Sequence, residues 1–239
     1  MASTGGWLER EDVTVIAPDG CLWRPEERAS IENARIWSSG EPEIGTRDVD
    51  DVEFLDSLLD QVLQELPTNT PLVVVGHSMG GAMAFRMLCE SRHREKLAAG
   101  VVYAGMWSCE KRVLDQPILY LAGTHDRIRP FAGNQEVVVP WVRLWTTPLM
   151  NVVRACVEAT GARRFPDIAI DDAALTMRWS GGRADVELQV LQGQGHHWPT
   201  GKPMAAEWEP LMGPNNLSIN ATERACDFVD RVLGLAPRS

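Results

Sequence analysis

Short apolar runs along the chain predict buried β-strands. Residues 71–75 (PLVVV) are apolar on both faces, which is expected of a central parallel strand. Residues 13–17 (VTVIA) are apolar and end at 18–20 (PDG), which predicts a strand followed by a turn. Similar patterns predict two more buried strands at 99–104 and 118–122, and a half-buried strand of alternating apolar and polar residues at 186–190.

Apolar residues at helical spacing predict helices between these strands. One helix is predicted over 48–66, where Pro67 ends it, and another over 79–90. The helix predicted over 147–160 has Thr147 as its N-cap, Pro148 in its first turn and Gly161 just after its end.

A last helix is predicted to begin at Asn220, because Glu223 three residues later completes a capping box. Strands that alternate with helices favour an α/β fold, in which a mostly parallel sheet has helices on both faces. The chain shows no internal repeat and no Ser/Gly-rich linker, so we expect residues 1–239 to form one domain.

Charge and composition narrow the functional classes. The chain has 239 residues, of which 33 are acidic and 23 basic, for a net charge of −10. Phosphate binding needs a basic surface, so we expect neither nucleic acid nor an anionic membrane as a partner. The sequence shows no apolar run of transmembrane length and no signal peptide, and its five cysteines include no CxxC pair. These features predict a cytoplasmic protein with reduced thiols.

The strongest chemical signal is the sequence GHSMGG at 76–81, which follows a predicted strand and opens a predicted helix. This is the setting of a GxSxG nucleophile elbow, in which Ser78 sits on a sharp turn. Gly76 and Gly80 are expected because a side chain at either position would collide with the neighbouring strand or helix. The Met79 N–H, at the start of the helix, is the expected donor to an oxyanion.

A serine nucleophile needs a base and an acid that orients the base, in the chain order Ser, Asp, His. Asp126 follows the strand predicted at 118–122 and is the expected acid, whereas Asp115 precedes that strand. His196 follows the last predicted strand and is preferred as the base over His197. A metal site at these two adjacent histidines is the alternative, but no spaced ligand cluster supports it, so we expect neither a metal nor a cofactor.

Several aromatic side chains are candidates for the substrate pocket. Trp198 lies two residues after the predicted base, and Trp107 follows the strand after the elbow. Trp141 belongs to an apolar segment within 131–160 that is interpreted either as a lid or pocket wall or as a core segment. His77, inside the elbow, is expected to pack beside the pocket rather than act as a second base.

These motifs together resemble the polyhydroxybutyrate depolymerase-like esterases, a branch of the α/β-hydrolases that includes feruloyl and acetylxylan esterases. The matching segments are GGW at 5–7, VIAPDG at 15–20, Trp37, DVDDVEFLDSLLD at 48–60, GHSMGGAMAFRM at 76–87, LAGTHDRIRP at 121–130, GQGHHWP at 193–199 and INATERACDFV at 219–229. The resemblance implies a serine esterase with the triad Ser78, Asp126 and His196.

The resemblance also implies a departure from the family pattern. The family's first strands, and a His-Gly loop whose N–H is the second oxyanion donor, have no counterpart in this sequence. The alternatives are a donor from residues 1–7 or 20–40, a segment lost upstream, or a second copy of the chain that completes the sheet. An unpaired strand edge would favour such a homo-oligomer.

We therefore predict a serine carboxylesterase that acts on small-molecule esters. Polyester depolymerase and feruloyl esterase are narrower alternatives within the resemblance. Two other classes stay open: a weakly active hydrolase-fold binding protein, because of the missing oxyanion loop, and a peptidase or thioesterase that uses the same triad.

Overall fold

The structure is a computed structural model that describes residues 13–30, 33–40, 49–107, 109, 113–139 and 142–236. Trp141 and the GGW motif at 5–7 lie outside these residues. The described strands are β1 (Cys21–Leu22), β2 (Arg35–Ile36), β3 (Leu72–His77), β4 (Leu97–Tyr103), β5 (Ile118–Gly123), β6 (Glu136–Val139), β7 (Val142–Trp145), β8 (Asp167–Ile170), β9 (Ala174–Trp179) and β10 (Val186–Leu191). The described helices are α1 (Asp51–Glu65), α2 (Met79–Glu90), α3 (Leu149–Thr160), α4 (Glu209–Met212) and α5 (Ala221–Leu233).

The main sheet of the described residues has six strands in the order β3-β4-β5-β10-β9-β8. The first four are parallel to one another, and β9 and β8 extend the sheet in antiparallel pairing. The parallel strands β4, β5 and β10 are buried along almost their whole length, as the apolar runs of β4 and β5 predict. The half-buried strand expected at 186–190 was wrong, because Glu187 is buried with hydrogen bonds from Gln189 and Arg231. The predicted mostly parallel sheet is therefore confirmed.

Helices cover both faces of this sheet. On one face, α2 and α3 form a core with β4, β5 and β10 that includes Phe85, Leu88 and Val152. On the other face, α5 brings Ala225 and Phe228 onto the outward side chains of the same strands. Because β3, β5 and β10 run in the same direction, their carboxyl ends lie at one edge of the sheet, where the predicted catalytic residues follow them.

Local capping agrees with the sequence at two of three helix ends. The side chain of Asn220 accepts hydrogen bonds from the N–H groups of Thr222 and Glu223, as a capping box predicts. Gly161 ends α3 in the left-handed conformation, with φ 70°. The predicted start of α3 was wrong by one residue, because Pro148 is the N-cap and no side chain caps the helix.

Two strand predictions were wrong. Residues 13–17 form no strand, because no described strand pairs with them and a strand needs a hydrogen-bonded neighbour. β3 is not central, since it lies at the edge of the sheet formed by the described residues. Val75 on β3 is consequently 39% exposed.

Candidate active site

Ser78 lies on the sharp turn between β3 and α2. Its φ of 54° and ψ of −120° place a non-glycine residue in a strained backbone region. Hydrogen bonds hold this conformation: the Ser78 N–H donates to the Tyr103 carbonyl at 2.8 Å, and the Ser78 carbonyl accepts from Gly81 and Ala82. The turn is therefore the predicted nucleophile elbow in its geometry.

Close backbone contacts explain two of the elbow glycines. A Cβ on Gly76 would lie 2.1 Å from the Gly80 carbonyl oxygen, so only glycine fits there. The sequence expectation for Gly80 was wrong, because a Cβ there would meet nothing within 4 Å. Gly81 has the role instead, since its Cβ would lie 2.9 Å from Gly105 Cα and 3.0 Å from Val102 Cγ1.

The structure brings Ser78, His196 and Asp126 into one hydrogen-bonded chain. The Nε2 atom of His196 lies 2.8 Å from Ser78 Oγ, and its Nδ1 atom lies 2.8 Å from Asp126 Oδ2. Because a carboxylate only accepts hydrogen bonds, Nδ1 carries the proton and Nε2 is free to accept the serine proton. With both ring nitrogens of His196 engaged, the geometry does not favour the alternative of a metal pair with His197.

The Asp126 carboxylate is built to stay ionised. It is nearly buried, and burial alone would raise its pKa. The His196 ring and the N–H groups of Arg129 at 2.6 Å and Ile128 at 2.9 Å reverse this, so the pKa lies below the ordinary value. The oxygen that does not contact His196, Oδ1, accepts both of these N–H groups and so fixes the turn after β5.

The loop that carries His196 is held through its backbone N–H groups. The His196 N–H donates to the Met212 carbonyl and the Gly195 N–H to the Pro214 carbonyl, each at 2.7 Å. A Cβ on Gly195 would lie 2.5 Å from the Met212 carbonyl oxygen, so glycine allows the two segments to approach. The backbone from Met212 to Pro214 therefore fixes the position of the loop that carries His196.

Side chains hold three successive carbonyls of the same loop. The Tyr103 hydroxyl donates to the Gly195 carbonyl at 2.6 Å, His77 Nε2 to the His196 carbonyl at 2.5 Å, and Gln194 Nε2 to the His197 carbonyl at 3.1 Å. Burial raises the pKa of Tyr103 well above its ordinary value, so its hydroxyl stays a donor. Sequence reasoning missed Tyr103 and Gln194; the available signal was a tyrosine at the end of an otherwise apolar strand.

His77 supports His196 through a hydrogen bond and a ring contact. Burial, together with the neighbouring His196 ring, lowers the pKa of His77 to about 3. The ring centroids of the two histidines are 4.9 Å apart. A neutral His77 therefore donates its N–H without placing a second positive charge beside His196.

Met79 begins α2, and first-turn N–H groups have no acceptor within the helix. Its N–H therefore stays available at the mouth of the elbow. The Met79 side chain points into a small apolar cluster formed by the buried Ile36, Ile128, Val139 and Leu144. Its sulfur accepts a hydrogen bond from the Trp37 N–H at 3.4 Å. Val139 of β6 and Leu144 of β7 belong to this cluster, so it ties these two strands to the elbow.

The predicted pocket residues do not share one cleft in the structure. Trp107 packs on Phe85, with ring centroids 5.1 Å apart, and its other edge lines a groove against α3. Trp198 packs on Tyr103 and its indole N–H donates to Thr222 at 3.0 Å. A separate cavity of about 20 Å³ beside Asp126 has room for about one water. None of Trp107, Trp198 and His77 lines this cavity.

Comparison with known proteins agrees with this geometry. Residues 6–215 match the alpha/beta hydrolase family, so the chain belongs to that family. It is also similar to a probable feruloyl esterase C from Aspergillus niger, at 33% identity over 97 residues. That match covers 39% of this chain and 35% of the relative, so the chain spans about a third of that protein's length. No solved structure matches the chain.

The described residues include neither a membrane-spanning helix nor a metal-binding cluster. No helix among them is long and apolar enough to cross a bilayer. Within the same ranges, no three His, Cys, Asp or Glu side chains are grouped to hold a metal ion. The five cysteines, all of them described, are free thiols, and four are buried.

Proposed function

We propose that this protein is a serine carboxylesterase that hydrolyses small carboxylic esters through an acyl-enzyme. The observation that carries the proposal is the hydrogen-bonded chain from Ser78 Oγ to His196 to Asp126, with both distances 2.8 Å. The strained elbow and the family membership support it, because this arrangement is the means by which the fold activates a serine.

In the acylation step, Ser78 Oγ attacks the ester carbonyl carbon while His196 Nε2 takes the hydroxyl proton. The ionised Asp126 stabilises the imidazolium that forms. The carbonyl oxygen becomes an oxyanion, and the Met79 N–H at the positive end of α2 donates to it. The C–O bond to the alcohol then breaks, and His196 gives its proton to the leaving oxygen.

In the deacylation step, water replaces the departed alcohol. His196 Nε2 takes a proton from the water, whose oxygen attacks the acyl carbon. The bond between the acyl carbon and Ser78 Oγ breaks, the proton returns to Oγ, and a carboxylic acid is released. The low pKa of Asp126 and the neutral state of His77 both favour the transient charge on His196.

An aromatic acyl group is the narrower substrate proposal. The similarity to a probable feruloyl esterase C motivates it. A comparison of methyl ferulate with p-nitrophenyl acetate, butyrate and octanoate tests this choice.

Turnover of these esters by the wild type, Ser78→Ala and Ser57→Ala tests the activity itself. Ser57 is a partly exposed serine on α1 whose hydroxyl donates to Glu53, and it serves as the matched control. We expect Ser78→Ala to lose roughly 10⁴-fold or more in kcat and Ser57→Ala to be unchanged. A fluorophosphonate should label Ser78 alone. Equal turnover by the wild type and Ser78→Ala would reject the proposal.

A further inference from the structure

The edge strand β8 exposes apolar side chains at the end of the sheet opposite β3. Phe165 is 77% exposed, Ile168 61% and Ile170 79%. β8 pairs with β9 on one side, and no strand of the described ranges pairs with its other side. Monomeric proteins rarely leave an apolar edge strand bare, because its free N–H and C=O groups recruit another strand.

The exposed isoleucines continue an apolar surface that begins in the core. In the β8–β9 register, Ile168 lies opposite Met177 and Ile170 opposite Leu175. Residues opposite each other in an antiparallel pair share a face. Leu175 and Met177 are partly buried and pack against the main core, so the apolar face extends to the edge of the sheet.

The charges around β8 have opposite signs at its two ends. Arg163 and Arg164 precede the strand, and Asp171 and Asp172 follow it. Arg163 is paired with Asp167 at 3.1 Å, and Asp171 with Arg224 at 3.3 Å. Arg164 and Asp172 form no ion pair with the residues that the structure describes. A strand that is basic at its start and acidic at its end is complementary to a copy of itself running in the opposite direction.

We propose that β8 pairs antiparallel with β8 of a second copy of this chain, about a two-fold axis. In the register that places Ile168 opposite its own copy, Arg164 lies opposite Asp172 of the second copy. Ile170 then lies opposite Pro166 of the second copy. Arg164 and Asp172 lie in the bends just before and just after β8, so an ion pair lies at each end of these apolar contacts. The two sheets become one, and β8 no longer has a free edge.

Repulsion between aspartates disfavours the registers that are shifted by two residues from the proposed one. A continuous sheet permits only shifts of two residues, because a shift of one residue would exchange the two faces. A shift in one direction places Asp167 opposite Asp167 of the second copy, and a shift in the other places it opposite Asp171. Like charges directly opposite each other destabilise a strand pair. In the proposed register, Asp167 lies opposite Ala169.

Sedimentation velocity of the full chain at roughly 1–100 μM tests the pairing, a range typical of modest interfaces. We expect a dimer with twice the 26.5 kDa mass of the chain, and its fraction should rise with concentration. Ile168→Lys brings two ammonium groups together and should weaken the dimer by about tenfold or more. Leu217→Lys, at an exposed leucine away from β8, is the matched control and should leave the dimer intact.

A charge exchange makes the register itself testable. Arg164→Asp and Asp172→Arg should each weaken the dimer, and the double variant should restore it. Ester turnover should be unchanged in all of these variants, which shows that each remains folded. A monomer at 100 μM, a dimer indifferent to Ile168→Lys, or species that keep growing with concentration would each overturn the proposal.

Discussion

The imidazole of His77 donates a hydrogen bond to the backbone carbonyl of His196, with 2.5 Å between Nε2 and O. This contact joins the residue before Ser78 to the residue whose ring lies 2.8 Å from the Ser78 hydroxyl. The position and orientation of the His196 ring therefore depend on β3 as well as on the loop after β10. His77 is in this sense a positioning residue for the proposed base.

Removal of this hydrogen bond should lower kcat and leave KM unchanged. We expect His77→Phe, which keeps a ring, to reduce kcat by about 10–100-fold, because a base displaced by a fraction of an ångström transfers its proton poorly. His77→Gln keeps an N–H donor and should recover part of this loss. Steady-state kinetics on p-nitrophenyl butyrate provide the measurement. Equal losses in both variants would show that packing, not the hydrogen bond, matters.

The low pKa of His77 predicts a loss of stability in acid. The unfolded chain takes up a proton on His77 near pH 6.5, whereas the folded chain does so only near pH 3. Between these values the unfolded state binds more protons, so the free energy of unfolding falls by up to about 1.4 kcal/mol per pH unit as pH falls.

Urea unfolding at pH 7, 6 and 5 measures this slope. His77→Gln should show a shallower slope than the wild type, because glutamine does not titrate. Asp126 contributes with the same sign, but its stabilisation is lost only as pH falls below its ordinary value of 3.8, outside this window. Parallel slopes in the two proteins would contradict the assignment to His77.

Asp126→Asn should nearly abolish turnover and leave the fold intact. An amide no longer selects the His196 tautomer that carries its proton on Nδ1, so Nε2 is not free to accept the serine proton. We expect a fall in kcat of about 10³–10⁴-fold. Asp115→Asn is the matched control, since Asp115 is a half-exposed carboxylate that pairs with Arg183 outside the site. A similar fall in both variants would remove Asp126 from the proposed role.

The elbow glycines should differ sharply in their tolerance of alanine. Gly80→Ala meets open space within α2 and should stabilise the helix by about 0.5–1 kcal/mol. Gly76→Ala would force a Cβ to within 2.1 Å of a backbone oxygen and should lower the thermal midpoint or prevent folding. Thermal denaturation followed by circular dichroism compares the two variants, and equal midpoints would contradict the steric argument.

Local patterns of residues predicted most of the parallel core and the residues of the triad. Strands β4 and β5 follow apolar runs, because burial on both faces favours apolar residues, whereas β10 buries Glu187 and Gln189 as a hydrogen-bonded pair. Ser78, Asp126 and His196 each follow a strand, and parallel strands bring their carboxyl ends to one edge. The order of the three residues along the chain was therefore enough to place them together.

The surroundings of the site were not predictable in the same way. Trp198 is close to His196 in sequence, yet its ring turns into the core onto Tyr103. Gly80 was expected to be tightly packed, but the rotation of α2 placed Gly81 against Gly105 instead. Both outcomes depend on how elements pack across the sheet, and nearest neighbours along the chain carry no information about that packing.

The sequence by itself determined the α/β class, the elbow and the three residues proposed to act on an ester, because each depends on hydrophobic periodicity or on residues within one turn. Only the tertiary structure decided that His77 and Tyr103 hold the carbonyls beneath His196, and that β3 and β8 are the edges of the described sheet. These contacts join residues about 90 to 120 positions apart. These contacts depend on the strand order and on the register between distant segments, and no local sequence pattern predicts either of them.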